Sequence, residues 1–418
     1  MMAQNDSTVV VIGAGLTGAV AALELAQAGV SVVLIERDAC AVNRASLRNE
    51  GKVHLGFVFA HDQSLATPRL MIEGALTFRS ILSGLTDGAA DGLIASTPFT
   101  YLVPEDSLLP PNELERRFAA MEAIFLGRMS DEPDLDYLGT RPDRLFRRTT
   151  LAALSGYLGT SGMAGGFLTD EVAVDTVALA SIIRSAIAAQ PLVRFWPCHR
   201  ATGIQRLKGG FRVTGSAVQN VDPGEAWQVD AAQVVNVTWE NRFLLDGTLG
   251  IAHPPGWLHR LKYRVIARVP DAMRLGPSVT MVVGPFGDVV QRSDGTAFFS
   301  WYPAGLQGWT HDVAPPAAWE APCRGVLPAD QAAAMAQAIL TAIEPWYPGA
   351  AQAEPIEVDA GAIVAYGCTD VDDPASGLHD RTRVGVESHD GYHSVDPGKL
   401  TTAPLFGVRA ARAVIGRL

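Results

Sequence analysis

The N-terminal stretch STVVVIGAGLTGAVAALELAQAGVSVVLIER limits the possible folds more than any other part of this sequence. Its first apolar run, Val9–Ile12, is typical of a strand that is buried on both faces. A glycine-rich turn, an Ala- and Leu-rich segment that ends at Gly29, and a second apolar run, Val32–Ile35, follow it. The order strand, turn, helix, strand predicts the βαβ unit of a doubly wound α/β sheet.

Within this unit, Gly13, Gly15 and Gly18 form the pattern GxGxxG. The first glycine permits the tight turn, the second lets the backbone approach a pyrophosphate, and the third lets the helix pack closely on the strand. Glu36 ends the second strand, where a carboxylate can accept hydrogen bonds from ribose hydroxyls. We therefore predict a dinucleotide site whose acid disfavours the 2′-phosphate of NADP, with a purely structural glycine turn as the alternative.

The size and charge of the chain narrow the class of protein. With 418 residues, of which 48% are hydrophobic, it is long enough for two lobes around a large core. Its formal net charge of −11 argues against a nucleic-acid partner, because phosphate contacts need clustered Lys and Arg side chains. We expect a small-molecule substrate instead.

The cysteines are scattered along the sequence, without a CxxC pair. They are Cys40, Cys198, Cys323 and Cys368. This spacing predicts neither a metal site nor a disulfide framework. We recognise no charged-then-apolar signal segment, and no apolar run reaches the roughly 18 residues that a spanning helix needs. The expected location is the reducing cytoplasm.

A second possible anion site lies near the C-terminus, in GYHSVDPGKLTTAPLFGVRAARAVIGRL. A strand, Tyr392 to Val395, leads through a Pro-Gly turn to a terminal helix. Gly398, Lys399, Thr401 and Thr402 stand at the start of that helix. A helix N-terminus with a lysine beside it would stabilise the negative charge of a reduced flavin. This favours FAD over NAD, while an ordinary helix start with a solvated lysine is the alternative.

The segment ASLRNEGKVHLGFVFA, residues 45–60, is unusual because it places polar side chains among small and apolar ones. His54 is the residue in it best suited to proton transfer, since neutral imidazole is available near neutral pH. A core histidine with its hydrogen bonds satisfied by protein is the alternative.

These motifs together resemble those of the D-amino-acid-oxidase-like flavoproteins. Gly398-Lys399-Leu400-Thr401-Thr402 is similar to the GGKxTT ending of the glycerol-3-phosphate dehydrogenases, with Pro397 in place of the first glycine. The segment 45–60 resembles RNSGVIHAGIYY of the L-2-hydroxyglutarate dehydrogenases. The matching positions are Arg48, Asn49, Gly51, His54 and Gly56.

The resemblance implies a role for each of these positions. The segment that holds Ser46 and Gly51 would run along the flavin, where small residues allow close approach. Arg48 and Asn49 would bond the cofactor or the backbone, and His54 would lie near the flavin ring. The remaining positions assigned to the cofactor are Arg37 and Gly398 to Thr402, with Leu400 among them. The segments around Glu171 and Asp175, and from Asp230 to Trp239, resemble a helix start and a strand of the FAD domain.

The fold expected from the resemblance is a Rossmann-like FAD-binding domain of the α/β class with an inserted α+β substrate domain. The FAD domain is expected to be discontinuous, over residues 1–90, 150–242 and 345–418. Residues 91–149 and 243–344 would form the substrate domain. Alternating polar and apolar residues in the latter range predict a mostly antiparallel sheet above the flavin.

Candidate substrate residues come from this sheet. Arg264 could hold a substrate carboxylate with two parallel hydrogen bonds, or it could be a solvated arginine on the sheet face. Tyr302 is the second candidate. Asp288 follows a glycine-rich turn and is expected to form that turn.

We expect an FAD-dependent oxidase or dehydrogenase that oxidises a CH–OH or CH–NH bond of a small polar substrate by hydride transfer to flavin N5. Hydroxy acids, polyols, amino acids and amines all fit, and O2 or another carrier would accept the electrons. A flavin monooxygenase is one alternative, although Gly287-Asp288 precedes a strand pattern and not the expected helix. A non-catalytic FAD-binding or electron-transfer protein is the other.

Overall fold

The computed structural model describes residues 8–219 and 222–417. The strands of the described chain, in order, are β1 (Val9–Ile12), β2 (Val32–Ile35), β3 (Phe99–Pro104), β4 (Phe146–Thr149), β5 (Met163–Thr169), β6 (Val193–Trp196), β7 (His199–Leu207), β8 (Gly210–Gln219), β9 (Asp222–Ala231), β10 (Gln233–Asn236), β11 (Trp257–Arg268), β12 (Ser278–Met281), β13 (Gly287–Gln291), β14 (Thr296–Trp301), β15 (Leu306–Thr310), β16 (Glu354–Tyr366), β17 (Gly385–His389) and β18 (Tyr392–Asp396).

The helices range from single turns to about six turns in length. They are α1 (Leu16–Gln27), α2 (Ala66–Leu85), α3 (Pro111–Asp131), α4 (Leu151–Leu154), α5 (Thr176–Ala189), α6 (Arg242–Thr248), α7 (Tyr302–Gly305), α8 (Glu320–Cys323), α9 (Ala329–Ile343) and α10 (Ala403–Ile415).

The nucleotide-binding sheet has six strands in the order β17-β18-β10-β1-β2-β6. β1 pairs in parallel with both β10 and β2, and β17 is antiparallel to β18. All four residues of β1 are buried. Val9 and Val11 pack with residues of helices α1 and α10, while Val10 and Ile12 pack with residues of β7, β8 and β9 on the other face. The predicted βαβ unit is confirmed, and the carboxyl ends of the parallel strands meet at one edge, where such sheets bind ligands.

The roof sheet, as we call the nine-stranded sheet, follows the order β15-β11-β14-β13-β12-β3-β5-β4, with β16 also paired to β11. Its pairs are antiparallel except β12 with β3. The predicted mostly antiparallel sheet is therefore present, and helix α9 packs against β11, β14 and β16.

Two strands of the roof sheet lie outside the ranges that were expected to supply it. β5 falls within 150–242 and β16 within 345–418, both assigned from the sequence to the FAD domain. β16 pairs along the whole of β11, from Trp257 opposite Tyr366 to Arg268 opposite Glu354. Local alternation identifies a strand but not its partner, so the sequence could not place these two segments.

A third, three-stranded sheet contains β7, β8 and β9. Its first two strands form the expected hairpin, and Gly209 has a φ of +87° at the turn, a conformation that favours glycine. Over the described ranges of the chain, no helix has the length and apolar character needed to cross a membrane.

Candidate active site

A cavity of about 750 Å³ is lined by residues of both the nucleotide-binding sheet and the roof sheet. This volume is in the range of roughly 300–1,000 Å³ that is usual for cofactor and ligand sites. Most residues assigned from the sequence line it: Gly13, Gly15, Glu36, Arg37, Ser46, Arg48, Asn49, His54, Arg264, Tyr302, Gly398, Lys399 and Leu400. Gly18, Gly51, Thr401 and Thr402 belong to the supporting structure behind that lining.

Glycine is needed at each of the three motif positions for a different structural reason. Gly13 has a φ of +101°, and a Cβ there would lie 2.7 Å from the Val237 carbonyl oxygen. A Cβ at Gly18 would lie 1.9 Å from the Gly13 oxygen, as expected for a position where helix and strand pack closely. Gly15 differs, because its backbone has an ordinary φ of −62° and its missing side chain leaves space beside the start of α1.

Glu36 ties the end of β2 to the glycine turn. Its carboxylate accepts hydrogen bonds from the Ala14 N–H at 2.8 Å and the Asp38 N–H at 3.0 Å. Burial raises the pKa of Glu36, and these two hydrogen bonds oppose the rise. The neighbouring Arg37 is already paired, since it donates to Glu240 and, at 2.8 Å, to Glu320 of α8.

The segment after β2 is held mainly by protein groups. Ser46 Oγ accepts from the Leu16 N–H at 3.0 Å, at the start of α1. Arg48 donates to the carbonyls of Asn43 and Arg324, and Asn49 donates to the Ala45 carbonyl. These bonds favour the backbone partners over the cofactor for Arg48 and Asn49.

Gly51 was expected to allow the flavin to approach the backbone, but the structure shows a different reason why glycine is needed at this position. Its φ is +76°, and a Cβ there would lie 2.2 Å from the Val174 carbonyl oxygen. The close approach is therefore to the segment before α5, where Asp175 caps the helix by accepting from Val177 N and Ala178 N.

The C-terminal motif lies where it was predicted, between β18 and α10. Gly398 has a φ of +67°, and its N–H donates to Asp396 at 2.9 Å. Thr401 Oγ1 accepts from the backbone N–H of His54 at 2.9 Å, which joins this motif to the segment after β2. Thr402 donates to the carbonyls of Pro397 and Lys399 and so closes the turn.

His54 lines the cavity and is 3% exposed. Its ring lies edge-on to Phe59, with 5.7 Å between centroids. Nε2 is 3.6 Å from Glu50 and Nδ1 is 3.8 Å from Glu171. Among the described residues Nδ1 has no hydrogen-bond partner, so protein groups do not satisfy both ring nitrogens of this histidine.

Alternate residues of β11 present cations to the cavity, with Arg260, Lys262 and Arg264 on the same face of the strand. Arg264 is not a solvated arginine, because it is 6% exposed. It donates to both oxygens of Asp359 at 2.5 and 2.8 Å. Asp359 thus already occupies the nitrogens that a substrate carboxylate would need, which moves the candidate role to Arg260.

Arg260 is buried and only loosely paired. Nη1 donates to the Tyr302 hydroxyl at 3.2 Å and lies 3.6 Å from Asp370. Nε and Nη2 have no hydrogen-bond partner within the described part of the chain. Tyr302 in turn donates to Asp370 at 2.6 Å, so the tyrosine connects Arg260 with Asp370.

Asp288 does not form the turn that was expected of it. It lies on β13 of the roof sheet. There it forms an ion pair at 2.9 Å with buried Lys52, which belongs to the segment after β2. Lys52 also donates to Thr280, and its ammonium lies 4.1 Å from the centre of the Phe99 ring. The pair joins the segment after β2 to the roof sheet. Gly287 and Asp288 open a strand, so the helix expected of a monooxygenase motif is not formed there.

Several cavity residues were missed from the sequence. They are Glu50, Lys52, Arg260, Lys262 and Arg381. The alternation HRLKYR in β11 was a usable signal for Arg260 and Lys262, since residues two apart share a face. Arg381 lies in an irregular segment between β16 and β17, where no periodicity could have identified it.

The fold and the cavity define a dinucleotide-binding enzyme with a substrate domain above the nucleotide site. The family described as "DAO: FAD dependent oxidoreductase" matches residues 8–407, and this chain belongs to that family. It is therefore an FAD-dependent oxidoreductase. Among curated protein sequences no match was found.

Three solved structures illustrate the shared fold. Glycine oxidase from Geobacillus kaustophilus is 14% identical, covers 98% of this chain and 94% of its own, and has a TM-score of 0.67. L-proline dehydrogenase from P. horikoshii is 14% identical, with 99% and 94% coverage and a TM-score of 0.66. L-alpha-glycerophosphate oxidase from Mycoplasma pneumoniae, solved with FAD bound, is 17% identical, with 99% and 95% coverage and a TM-score of 0.65.

The residues of this chain fit FAD. The cleared space at Gly15, the start of α1 and the Ser46 hydroxyl suit a pyrophosphate, and the Glu36 carboxylate suits a ribose. Lys399 and Leu400 line the far part of the same cavity. Across residues 8–219 and 222–417, no cluster of His, Cys, Asp and Glu is suited to a metal ion.

Lys399 gives a prediction about the flavin. Burial lowers the pKa of Lys399 to about 8, while the charge of Glu50 opposes the change. We expect Lys399→Met to lower the flavin reduction potential at pH 7, because a cation beside the flavin stabilises the anionic reduced form. The expected change is about 30 mV or more, the equivalent of a tenfold shift for a two-electron couple.

Potentiometric titration of parent and variant measures this difference, with exposed Lys208→Met as the control. The difference should narrow as the pH rises through about 8, because parent Lys399 then loses its charge. Equal potentials at pH 7 would place Lys399 away from the flavin.

Proposed function

We propose that this enzyme oxidises a CH–OH or CH–NH bond of a small molecule that carries an anionic group, such as a hydroxy acid or an amino acid. The observation that carries the proposal is the cationic wall, which we define as Arg260, Lys262 and Arg381. Polyols and amines without an anionic group would leave this wall unpaired.

The cationic wall contains hydrogen-bond donors that a bound anion would pair. Arg381 is 9% exposed, and its Nε, like two nitrogens of Arg260, has no hydrogen-bond partner in the described residues. Burial and the charge of Arg260 lower the pKa of Arg381 to about 10. Unpaired buried donors are costly, so a carboxylate or phosphate here would satisfy them and relieve the mutual repulsion.

The names of similar structures agree with an anionic substrate. Glycine, L-proline and L-alpha-glycerophosphate, named for the three structures above, all carry a carboxylate or a phosphate. The shared fold does not choose among them, and the cationic wall of this chain supports their common feature.

In the proposed reaction His54 takes the proton of the substrate hydroxyl or amine, and Arg260 orients the substrate through its anionic group. Tyr302 keeps Arg260 in place, and Arg264 remains part of the lining beside it. FAD, when bound, supplies the acceptor for the two electrons, which O2 or another carrier then removes. Lys52 and Asp288 fix the spacing between the two sides of the cavity.

Anaerobic bleaching of the flavin band tests the proposal. Hydroxy acids and amino acids are compared with their amides, along with polyols and simple amines. We expect bleaching by acids and much slower bleaching by the matched amides. Equal rates for an acid and its amide would contradict the anionic requirement.

Arg260→Met provides the matching test on the protein. We expect KM for the acid that bleaches fastest to rise about 10- to 100-fold, because a charge-assisted hydrogen bond contributes roughly 1.5–3 kcal/mol. Arg268→Met is the control, since Arg268 lies on the same strand but is exposed outside the cavity. An unchanged KM in Arg260→Met would remove Arg260 from the substrate site.

A further inference from the structure

Glu320, on the single-turn helix α8, bridges two arginines of the segment after β2. One oxygen of its carboxylate accepts from Arg37 Nη1 at 2.8 Å, and the other accepts from Arg44 Nη2 at 2.7 Å. Both arginines line the cavity, as does Glu36, the carboxylate that suits a ribose of FAD. The Glu320 side chain is 31% exposed, so this contact lies at the rim of the cavity.

Helix α8 is anchored to the roof sheet. Trp319, directly before Glu320, and Cys323, at the end of the helix, are both buried. They pack into the same apolar core as Leu261 and Tyr263 of β11. Helix α8 also packs against β16. The roof side of the molecule therefore fixes the position of the Glu320 carboxylate.

The two arginines are anchored to the nucleotide-binding side. Arg44 donates to both oxygens of Asp38, each at 2.8 Å. Arg37 donates to Glu240, which follows β10. A guanidinium directs several N–H donors in one plane, so each arginine can hold two carboxylates at once. Each arginine therefore has a partner on its own side and shares Glu320 as a partner from the roof side.

The charges at this rim balance among protein groups. Arg200 lies 3.8 Å from Glu320 and completes a set of three arginines and three carboxylates. The set is Arg37, Arg44, Arg200, Asp38, Glu240 and Glu320. Burial favours the neutral form of Glu320, but the charges of Arg37 and Arg44 hold its pKa below the ordinary value, so the carboxylate is ionised at neutral pH. Unlike the cationic wall, this cluster suits a contact between the two sides and not the binding of an anion.

We propose that Glu320 is a positioning residue that holds the roof side against the nucleotide-binding side at the ribose end of the cavity and so slows the release of FAD. Both sheets line the cavity, so their separation at this rim would open a path for the adenosine part of FAD. A single exposed ion pair contributes little, but a network of several charges on partly buried arginines contributes more. The proposal requires FAD and makes no assumption about the substrate.

Exchange of bound FAD tests this role in the holoenzyme. FAD-loaded protein is mixed with an excess of isotope-labelled FAD, and the label in the protein-bound fraction is followed by mass spectrometry. We expect Glu320→Gln to exchange about tenfold faster than the parent, because the amide keeps the size of the side chain but loses its charge. Glu320→Asp keeps the charge on a shorter side chain, and its rate should lie between those of the parent and Glu320→Gln.

The dependence on salt distinguishes an ion-pair contact from an unrelated change in the fold. Salt screens partly exposed charges, so raising the ionic strength from about 0.1 to about 1 M should speed exchange more in the parent than in Glu320→Gln. Glu115→Gln is the matched control, because Glu115 forms an exposed ion pair with Arg148 at 2.9 Å, away from the cavity. This variant should exchange FAD at the parent rate.

Equal exchange rates in the parent and Glu320→Gln, including no exchange in either, overturn the proposal. Slower exchange in Glu320→Gln also overturns it, since the released arginines would then hold FAD themselves. Faster exchange with the same response to salt as the parent would show that Glu320 acts through the fold, and it overturns the proposal as well.

If Glu320→Gln does not retain FAD during purification, Glu320→Asp decides the outcome. Faster exchange than the parent, at an unchanged melting temperature, supports the proposal, and the parent rate overturns it. None of these measurements uses a substrate, so they fail or succeed independently of the anionic substrate proposed above.

Discussion

Replacing His54 with Asn should leave FAD bound and slow flavin reduction by the substrate about 100- to 10,000-fold, the usual loss when a general base is removed. The backbone of residue 54 is held by Thr401 Oγ1, and this bond does not involve the side chain. The asparagine is also smaller than the ring it replaces. The variant therefore removes the base without changing the path of the segment beside the cofactor.

Stopped-flow reduction measures this effect, using the acid that bleaches fastest in the anaerobic comparison. His393→Asn is the control, because His393 is also buried but bonds to Ser388 and Gln233 away from the cavity. A His54→Asn protein that reduces at the parent rate would show that His54 is structural.

Gly15→Val should abolish retention of FAD while leaving the protein folded. Gly15 has a φ of −62°, which valine adopts without strain, so the backbone does not need to change. A Cβ there lies 3.2 Å from Ser46 Oγ, and the added methyl groups would enter the space that suits a pyrophosphate. The effect is therefore on the cofactor and not on the fold.

The ratio of flavin to protein absorbance after purification, and the thermal stabilisation caused by added FAD, measure this loss. A protein that no longer binds FAD gains no stability from it. Gly127→Val in α3 is the matched control, since a Cβ at Gly127 meets nothing within 4 Å. A yellow Gly15→Val protein with the parent ratio would rule out this position as the phosphate site.

The sequence predicted the nucleotide-binding half of the fold well because its signals are local. Gly13, Gly15 and Gly18 lie in one turn, and Glu36 follows within the same βαβ unit. The strand, turn and helix around Lys399 were predicted for the same reason. These features depend on neighbouring residues, so a single sequence contains the information.

The substrate side was less predictable because its contacts join distant segments. Asp288 was interpreted as a turn residue, yet its partner Lys52 is far away in the chain. The pairing of Arg264 with Asp359 depends on the register of β11 with β16. The segment with Glu171 was recognised by resemblance, but its position behind His54 required the folded structure. Long-range pairing, which no local pattern records, decided these cases.

The interleaved strand order has a consequence for the synthesis of this protein. β1 is made first, but its sheet requires β10 and finally β18, and β11 of the roof sheet waits for β16. The cavity border that follows β18, Pro397 to Leu400, therefore forms only after these residues have left the ribosome. Contacts between distant segments also slow folding. Translation and cofactor capture are thus separated in time, and an incomplete chain has no finished site in which to hold FAD.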